Sequence, residues 1–306
     1  MRRRTTLMYC TRIAASIVQA AVALTFITSG VSGAAMKSGN PTTAAGRQAM
    51  SGPALPLRFA VIGDFGTGGK IQSEVAQRMC RWRKSHPFDL VITTGDNIYP
   101  DGSARYFDTN FFQPYKCLLD DDVSFRATLG NHDVVTDNGR PELDEPVFGM
   151  PHRNYVFRTS GVRFVMVDSN VIKRDWLRRA TRTRSGDLWT VVAFHHPVFS
   201  PGEHGSTPGF RPWMPRLFRE RGVDVVFNGH DHLYAVSKPI RRVRYVVTGG
   251  GGAGLYSCHH EWFSAVCRER HHFSYVRAGA EKLRVKAVPK RGKPFHTFTT
   301  KGVAGR

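Results

Sequence analysis

Five polar clusters, most of them set directly behind a short apolar run, constrain the fold of this chain more than any other feature. They are Gly63-Asp64-Phe65-Gly66, Gly95-Asp96-Asn97-Ile98-Tyr99, Gly130-Asn131-His132-Asp133, Phe194-His195-His196-Pro197 and Gly229-His230-Asp231-His232. The runs ahead of them, such as Leu57–Ile62, Leu90–Thr94 and Val223–Phe227, read as buried strands. The polar residues then emerge at strand ends, which is where an α/β protein builds its site. A packed core has no use for so many carboxylates and imidazoles.

Between these landmarks helical and extended patterns alternate. A helix is expected over Lys70–Lys84, stopping before His86-Pro87, with an aromatic-rich helical stretch over Ala104–Cys117 and a helix over Trp213–Arg221. Further strands are expected at Phe125–Leu129, Trp189–Phe194 and Val243–Thr248, and Tyr155–Arg158 should pair with Arg163–Val167 across a Ser160-Gly161 turn. From Tyr275 onward, two short alternating runs precede an end expected to be disordered. Early β–α alternation followed by antiparallel pairs points to an α/β fold with mixed sheets and outer helices. One catalytic domain is expected over 57–290. Ahead of it stand a signal peptide at 1–34 and a flexible linker at 35–56, rich in Ser, Gly, Thr, Ala and Pro; behind it lies a basic tail at 291–306.

Each cluster alone is a weak signal, because Gly-Asp-X-Gly is a common turn and Gly-His-Asp-His could be a polar loop. Five in order, placed after strands, define a metal site. Carboxylates, an amide oxygen and neutral imidazoles together suit a pair of first-row transition metals rather than Ca²⁺ or a thiolate zinc site. Asp96 is the natural bridge, since two oxygens of one carboxylate can hold two cations. Such a pair polarises phosphoryl oxygens, lowers the pKa of bound water and stabilises in-line displacement, so hydrolysis of a phosphate ester is the expected reaction.

The ordered set resembles the calcineurin-like metallophosphoesterases from Arg58 to about Gly254, and within them the low-molecular-weight purple acid phosphatases of the tartrate-resistant type. The first motif carries the distinction. Many metallophosphoesterases have Asp-X-His there, whereas this chain has Asp64-Phe65-Gly66. In the purple enzymes a Tyr three residues after the bridging Asp supplies the missing ligand, and Tyr99 stands at that place.

The resemblance implies a four-layer α/β/β/α sandwich of two mixed β-sheets flanked by helices. It also implies a first metal held by Asp64, Asp96, Tyr99 and His232, and a second held by Asp96, Asn131, His195 and His230. The hard phenolate donor favours Fe³⁺ in the first site, beside a divalent Fe, Zn or Mn. His132 matches the family's residue that contacts substrate phosphate and helps protonate the leaving group, and His204 matches its second pocket histidine. Asn97 is expected to contact phosphate or orient a ligand. His196, where the family often has Tyr, is expected to support the site or line its rim, and Asp168 to play a structural part. No helix with Lys-Ser/Thr follows Gly249–Gly254, so close backbone packing is expected there rather than a phosphate loop. His259, His260, His271 and His272 read as loop or rim residues.

Two departures from the mammalian enzymes stand out. Those carry a long exposed loop between the positions of Asp168 and Trp189, which covers the site until proteolysis; here Ser169–Leu188 is short and basic, and an open site is expected. The segment Cys258–His272 is an insertion expected to form one wall of the pocket.

The formal charge of +20 favours anionic substrates and equally suits electrostatic adhesion to anionic surfaces. The excess is mostly scattered Arg without an aromatic-interleaved stripe, so no dedicated nucleic-acid binding is expected. Arg2, Arg3, Arg4 and Arg12 precede an uncharged apolar run, Ile13–Thr28, and the small residues Val31–Ala35 offer a cleavage site. Arg3-Arg4-Thr5-Thr6-Leu7 resembles a twin-arginine signal without its usual Phe. Removing those four arginines and no acid leaves about +16. Four cysteines remain, with three possible pairings; Cys80–Cys117 and Cys258–Cys267 are the expected ones in an oxidising compartment. The expected protein is an exported acid phosphatase, periplasmic or secreted, hydrolysing phosphate monoesters by a metal-bound hydroxide. The alternatives are a phosphodiesterase or nucleotidase on the same scaffold, or a non-catalytic anion-binding surface protein.

Overall fold

The computed structural model describes residues 56–302. The expected signal peptide, and the linker apart from Pro56, lie outside the described residues. Strand β1 (Leu57–Ile62) leads into helix α1 (Lys70–Ser85) and then β2 (Leu90–Thr93). In α1 the apolar residues Val75, Ala76, Met79 and Trp82 recur at helical spacing and are buried, giving one packed face. The helix stops at His86 because the residue before a proline disfavours helical backbone, and Arg83 and Lys84 suit the negative end of its dipole.

The aromatic-rich stretch is helical but irregular. It passes from a 3₁₀ turn at Ala104–Tyr106 through a π turn at Asp108–Phe112 into α2 (Gln113–Leu119). Pro114 has no N–H to offer the Asn110 carbonyl one turn back; the Gln72 side chain donates to that carbonyl instead, at 2.5 Å. The strand expected at Phe125–Leu129 is shorter, β3 (Ser124–Arg126). Ala127 N–H leaves the ladder for the Phe148 carbonyl, which turns the chain toward Asn131.

Helix α3 (Arg140–Asp144) precedes the hairpin β4 (Tyr155–Thr159) and β5 (Val162–Met166), joined by Ser160 and Gly161 at φ 49° and 70°. Two left-handed central residues match the strand twist. Then follow α4 (Arg174–Ala180), β6 (Trp189–Ala193), α5 (Met214–Glu220), β7 (Val225–Asn228), β8 (Tyr234–Ser237), β9 (Arg244–Thr248), β10 (Ser264–Arg268), β11 (His272–Ala278), β12 (Lys282–Pro289) and β13 (His296–Lys301).

These strands build two mixed sheets, ordered β13-β12-β11-β1-β2-β3 and β10-β8-β9-β7-β6-β5-β4. The first is parallel through β1, β2 and β3, the second through β5, β6, β7 and β9. Central strands are apolar on both faces, and alternate residues serve different cores. Phe164 of β5 packs with Phe59 of β1 between the sheets, ring centroids 5.1 Å apart, while Val165 turns outward to the layer containing Leu177 of α4 and Phe218 of α5. Helices α1 and α2 cover the first sheet, linked by Cys80–Cys117 with Cα atoms 6.3 Å apart. Cys258–Cys267 is the second bridge, at 6.0 Å.

Two expectations need correcting. The described part of the expected tail at 291–306 is not simply a tail, because β13 pairs with β12 from Lys282 to Ala287 and buries Phe298. Strands β8 and β10 were not anticipated; each is short, and the polar clusters around them mask the alternation.

Candidate metal centre

All seven expected ligands gather at the carboxyl end of parallel strands. Asp64 follows β1, Asp96 and Tyr99 follow β2, Asn131 comes after β3, His195 after β6, and His230 and His232 after β7. Three of them occupy left-handed backbone, Asp64 at φ 56°, Asp96 at 52° and His230 at 71°. Such conformations cost of order 1–3 kcal/mol each and persist where the surrounding structure needs the side chain aimed in one direction. Space is cleared by glycine: a Cβ on Gly130 would overlap the Asp96 carboxylate, and one on Gly229 the Asp64 carboxylate. Gly249, Gly251 and Gly252 likewise pack their backbones on Asp231, Gly63 and Phe65, as expected of close packing rather than a phosphate loop.

The donor atoms form two groups that meet at Asp96. On one side Tyr99 Oη lies 2.9 Å from Asp96 Oδ2 and 3.2 Å from His232 Nε2, which is 3.6 Å from Asp64 Oδ1. On the other, Asn131 Oδ1 lies 2.9 Å from His195 Nε2 and 3.0 Å from His230 Nδ1, and His195 Nε2 is 3.5 Å from Asp96 Oδ2. Second hydrogen bonds set the tautomers. His195 Nδ1 donates to the Thr94 carbonyl at 2.9 Å and His232 Nδ1 to the Gly254 carbonyl at 2.7 Å, so each Nε2 presents its lone pair to the cluster.

The electrostatics fit a cation pair. Burial, with the nearby Asp96 charge, pushes the Asp64 carboxyl well above its ordinary range, and burial raises Asp96 too. Burial holds the His195 imidazole well below its ordinary value and, with the neighbouring imidazoles, pushes His230 down to about 2; His232 is also lowered, chiefly by burial. Crowded carboxylates beside neutral imidazoles are a donor set that a cation relieves. The Tyr99 hydroxyl is raised by burial and by the Asp64 and Asp96 charges, so it ionises only against a strongly charged cation.

Around this cluster stand the candidate substrate residues. His132 Nδ1 donates to the Pro100 carbonyl at 2.7 Å, and its ring lies 4.4 Å from that of Tyr99. His204 stacks on His230 with centroids 4.3 Å apart. Its loop is held by Asp231, which accepts from His204 N–H at 2.9 Å and from the Ser200 hydroxyl. His196 stands against His195 and His230, and Ser169 Oγ accepts from its N–H and contacts its Nδ1. Asp168 is structural: it accepts from Arg153 at 2.5 Å and from Asn170 N–H, and Asn170 Nδ2 also donates to the Gly130 carbonyl.

Of the two roles expected of Asn97, its geometry suits orienting a ligand rather than contacting phosphate. Its side chain is fully buried, with Oδ1 accepting from Thr93 Oγ1 and Nδ2 directed at the Thr128 carbonyl, Asp133 and Glu142. It braces the loop that carries Asp96 and Tyr99 and is directed into the interior. Burial and the Asp96 charge push Asp133 up to about 6, and burial with the Asp133 charge raises Glu142 well above its ordinary range, so this trio is knit by shared protons and amide donors. His272 needs correcting: it is buried, with Nδ1 donating to the Arg270 carbonyl and Nε2 3.0 Å from Thr248 Oγ1.

Sequence reasoning missed Tyr256. Its ring stacks on His232 at 4.2 Å and meets His204 edge-on at 5.1 Å, closing the side of the cleft toward the Cys258 segment. His259 N–H donates to the Pro201 carbonyl, which ties that segment to the His204 loop. No motif marks Tyr256; the one available hint is its position just after the glycine run.

A family model described as calcineurin-like phosphoesterase matches residues 57–234. The chain is 28% identical over 234 residues to purple acid phosphatase 17 of Arabidopsis thaliana, covering 64% of this chain and 68% of that protein. It is 24% identical over 292 residues to tartrate-resistant acid phosphatase type 5 of Rattus norvegicus, covering 79% and 89%. Among solved structures, a purple acid phosphatase from yellow lupin (Lupinus luteus) seeds superposes with a TM-score of 0.69 at 16% identity, covering 82% of this chain and 54% of that one, a likeness of fold. With more than half of its residues matched by the family model, the chain belongs to the calcineurin-like phosphoesterase family.

Proposed function

We propose that this protein is an exported acid phosphatase that hydrolyses phosphate monoesters at a binuclear metal centre. The observation that carries the proposal is the pair of donor groups meeting at Asp96, one of them completed by the Tyr99 phenol. Asp64, Asp96, Tyr99 and His232 would hold Fe³⁺, and Asp96, Asn131, His195 and His230 a divalent Fe, Zn or Mn. A cation pair held by these residues would supply Lewis acidity, offsetting charge on phosphoryl oxygens and acidifying water enough for work below neutral pH. The purple acid phosphatase relatives support the same reading.

The rest is done by the chain's own residues. His204, stacked on His230 and braced by Asp231, presents a donor at the rim for a non-bridging phosphate oxygen. His132 delivers a proton to the leaving alkoxide from Nε2. Its Nδ1–H keeps donating to the Pro100 carbonyl in both protonation states, so the ring needs no reorientation between turnovers. Tyr256 shields the His232 side from water. Segment 169–188 folds into α4 beside the second sheet, which supports an open cleft. The expected signal peptide and the two disulfides support export to an oxidising compartment.

Purified protein loaded with iron should absorb visible light through tyrosinate-to-Fe³⁺ charge transfer and cleave p-nitrophenyl phosphate far faster than its bis ester. Colourless metal-replete protein would refute the ferric site. Preference for the bis ester would make the protein a phosphodiesterase.

A further inference from the structure

The outer face of the first sheet holds an arrangement that the phosphatase site does not use. Helix α1 packs Trp82 and His86 on Tyr275, with ring centroids 5.9 and 5.7 Å apart, and ends there. Past its end, Arg58 of β1 sits directly opposite Arg277 of β11, which sits directly opposite Arg284 of β12. On the same face Lys286 stands opposite Tyr275, and Lys282 opposite Lys301 of β13. Strand spacing puts these six cations on a plane roughly 15 Å across. Among the described residues, none of their side chains has a salt-bridge or hydrogen-bond partner. Like charges directly opposite one another destabilise a sheet, so the fold carries a repulsion that an external layer of anions would relieve.

We propose that this face docks the protein onto an anionic phospholipid surface. Arg58, Arg277, Arg284 and Lys286 line one open recess beside His86, wide enough for a phosphate headgroup, and Lys282 and Lys301 carry the charge beyond it along β12 and β13, which matches neighbouring headgroups of one surface better than a single small anion. The aromatics available for stacking bases are sealed: Tyr275 is 4% accessible and Trp82 7%, so single-stranded nucleic acid finds no platform. The bordering carboxylates do not cancel the charge. Asp89 is committed to Arg83, Glu74 to Lys290 and Arg291, and Glu281 is a single acid in the β11–β12 turn. Arg58 opens β1 while Asp64 follows its far end, about 20 Å away along an extended strand, so a docked molecule keeps its cleft free.

The test is co-sedimentation of the full-length protein with phosphatidylcholine vesicles carrying or lacking about one-third phosphatidylglycerol, at physiological salt. The parent should partition onto the anionic vesicles, and R277E/R284E should lose roughly tenfold or more of that partitioning while hydrolysing p-nitrophenyl phosphate at the parent rate. R277T/R284T, which suits exposed strand positions, guards against misfolding and should lose an intermediate amount. R178T/R179T on α4 removes equal charge elsewhere and should bind within about twofold of the parent. Equal losses in the two charge-matched pairs would overturn the proposal in favour of diffuse net charge. Unchanged binding in R277E/R284E would overturn it outright. Displacement by millimolar inorganic phosphate at constant ionic strength would replace the membrane with a small-anion site, and tighter binding to duplex DNA than to vesicles would replace it with nucleic acid.

Discussion

The backbone N–H of Tyr99 donates to the carbonyl of Gly66 at 2.8 Å, and a Cβ on Gly66 would overlap the Asn97 carbonyl. The glycine is therefore more than a missing ligand. Its bare backbone lets the β2 loop approach closely enough to lay the Tyr99 phenol beside Asp96 and His232.

Gly66→Ala should then damage the centre without touching a ligand. The added methyl meets rigid backbone, so a loss of about 3 kcal/mol is expected by urea denaturation, with reduced iron retention. Tyr99→Phe should behave oppositely, staying within about 1.5 kcal/mol of the parent while losing the visible band. A Gly66→Ala protein with full stability and full iron would show that the loop has room to move.

His132→Ala should lower kcat by roughly 10²–10⁴ for alkyl phosphates while leaving metal content intact. The loss should shrink for p-nitrophenyl phosphate, whose leaving group needs little protonation. His204→Ala should instead raise KM for both substrates. Equal loss for good and poor leaving groups in His132→Ala would remove it as the proton donor.

How much of this was legible beforehand follows from how local each determinant is. Asp64, Asp96, Asn131, His195 and His230 announce themselves because glycine or proline signals bracket them after buried strands, and the alternation that buries Phe164 inward and Val165 outward is visible in the sequence itself. Tyr256 was not legible, since its stacking on His232 depends on where a loop without periodicity crosses the cleft. Asn97 was legible only in part, for a related reason. Its motif places it beside a ligand, but only the distant Glu142, reached through α3, reveals that its amide points into the interior. Strand β13 was hidden because His296–Lys301 is polar on its outer face and gains its identity from pairing with β12.

Asn97→Ala should accordingly act on stability and metal retention rather than on substrate binding. Removing the amide leaves the Asp133 and Glu142 carboxyls without their shared donor and the Thr93 hydroxyl without its acceptor. A cost of about 2–3 kcal/mol is expected, read as a lower urea midpoint. KM of the metal-replete fraction should not change. A raised KM at unchanged stability would restore a substrate contact.

Acid should weaken the fold through His272, which lies away from the metal ligands. Burial lowers this imidazole to about 4, against an ordinary 6.5 in the unfolded chain. The unfolded state therefore binds the proton first, so the stability His272 contributes is present above pH 6.5 and is lost as pH falls from 6.5 through 4. The full loss is about 3 kcal/mol. His272→Gln, whose amide can serve the Thr248 hydroxyl without gaining charge, should flatten that part of the profile. Glu142, raised by burial, works with the opposite sign: its protonated form stabilises the fold at low pH, and that contribution fades as pH rises through its native value. Urea midpoints measured from pH 7 to pH 4 in the parent and His272→Gln should diverge below pH 6.5, with the parent falling faster. Parallel curves would mean that His272 is already reached by solvent in the native state.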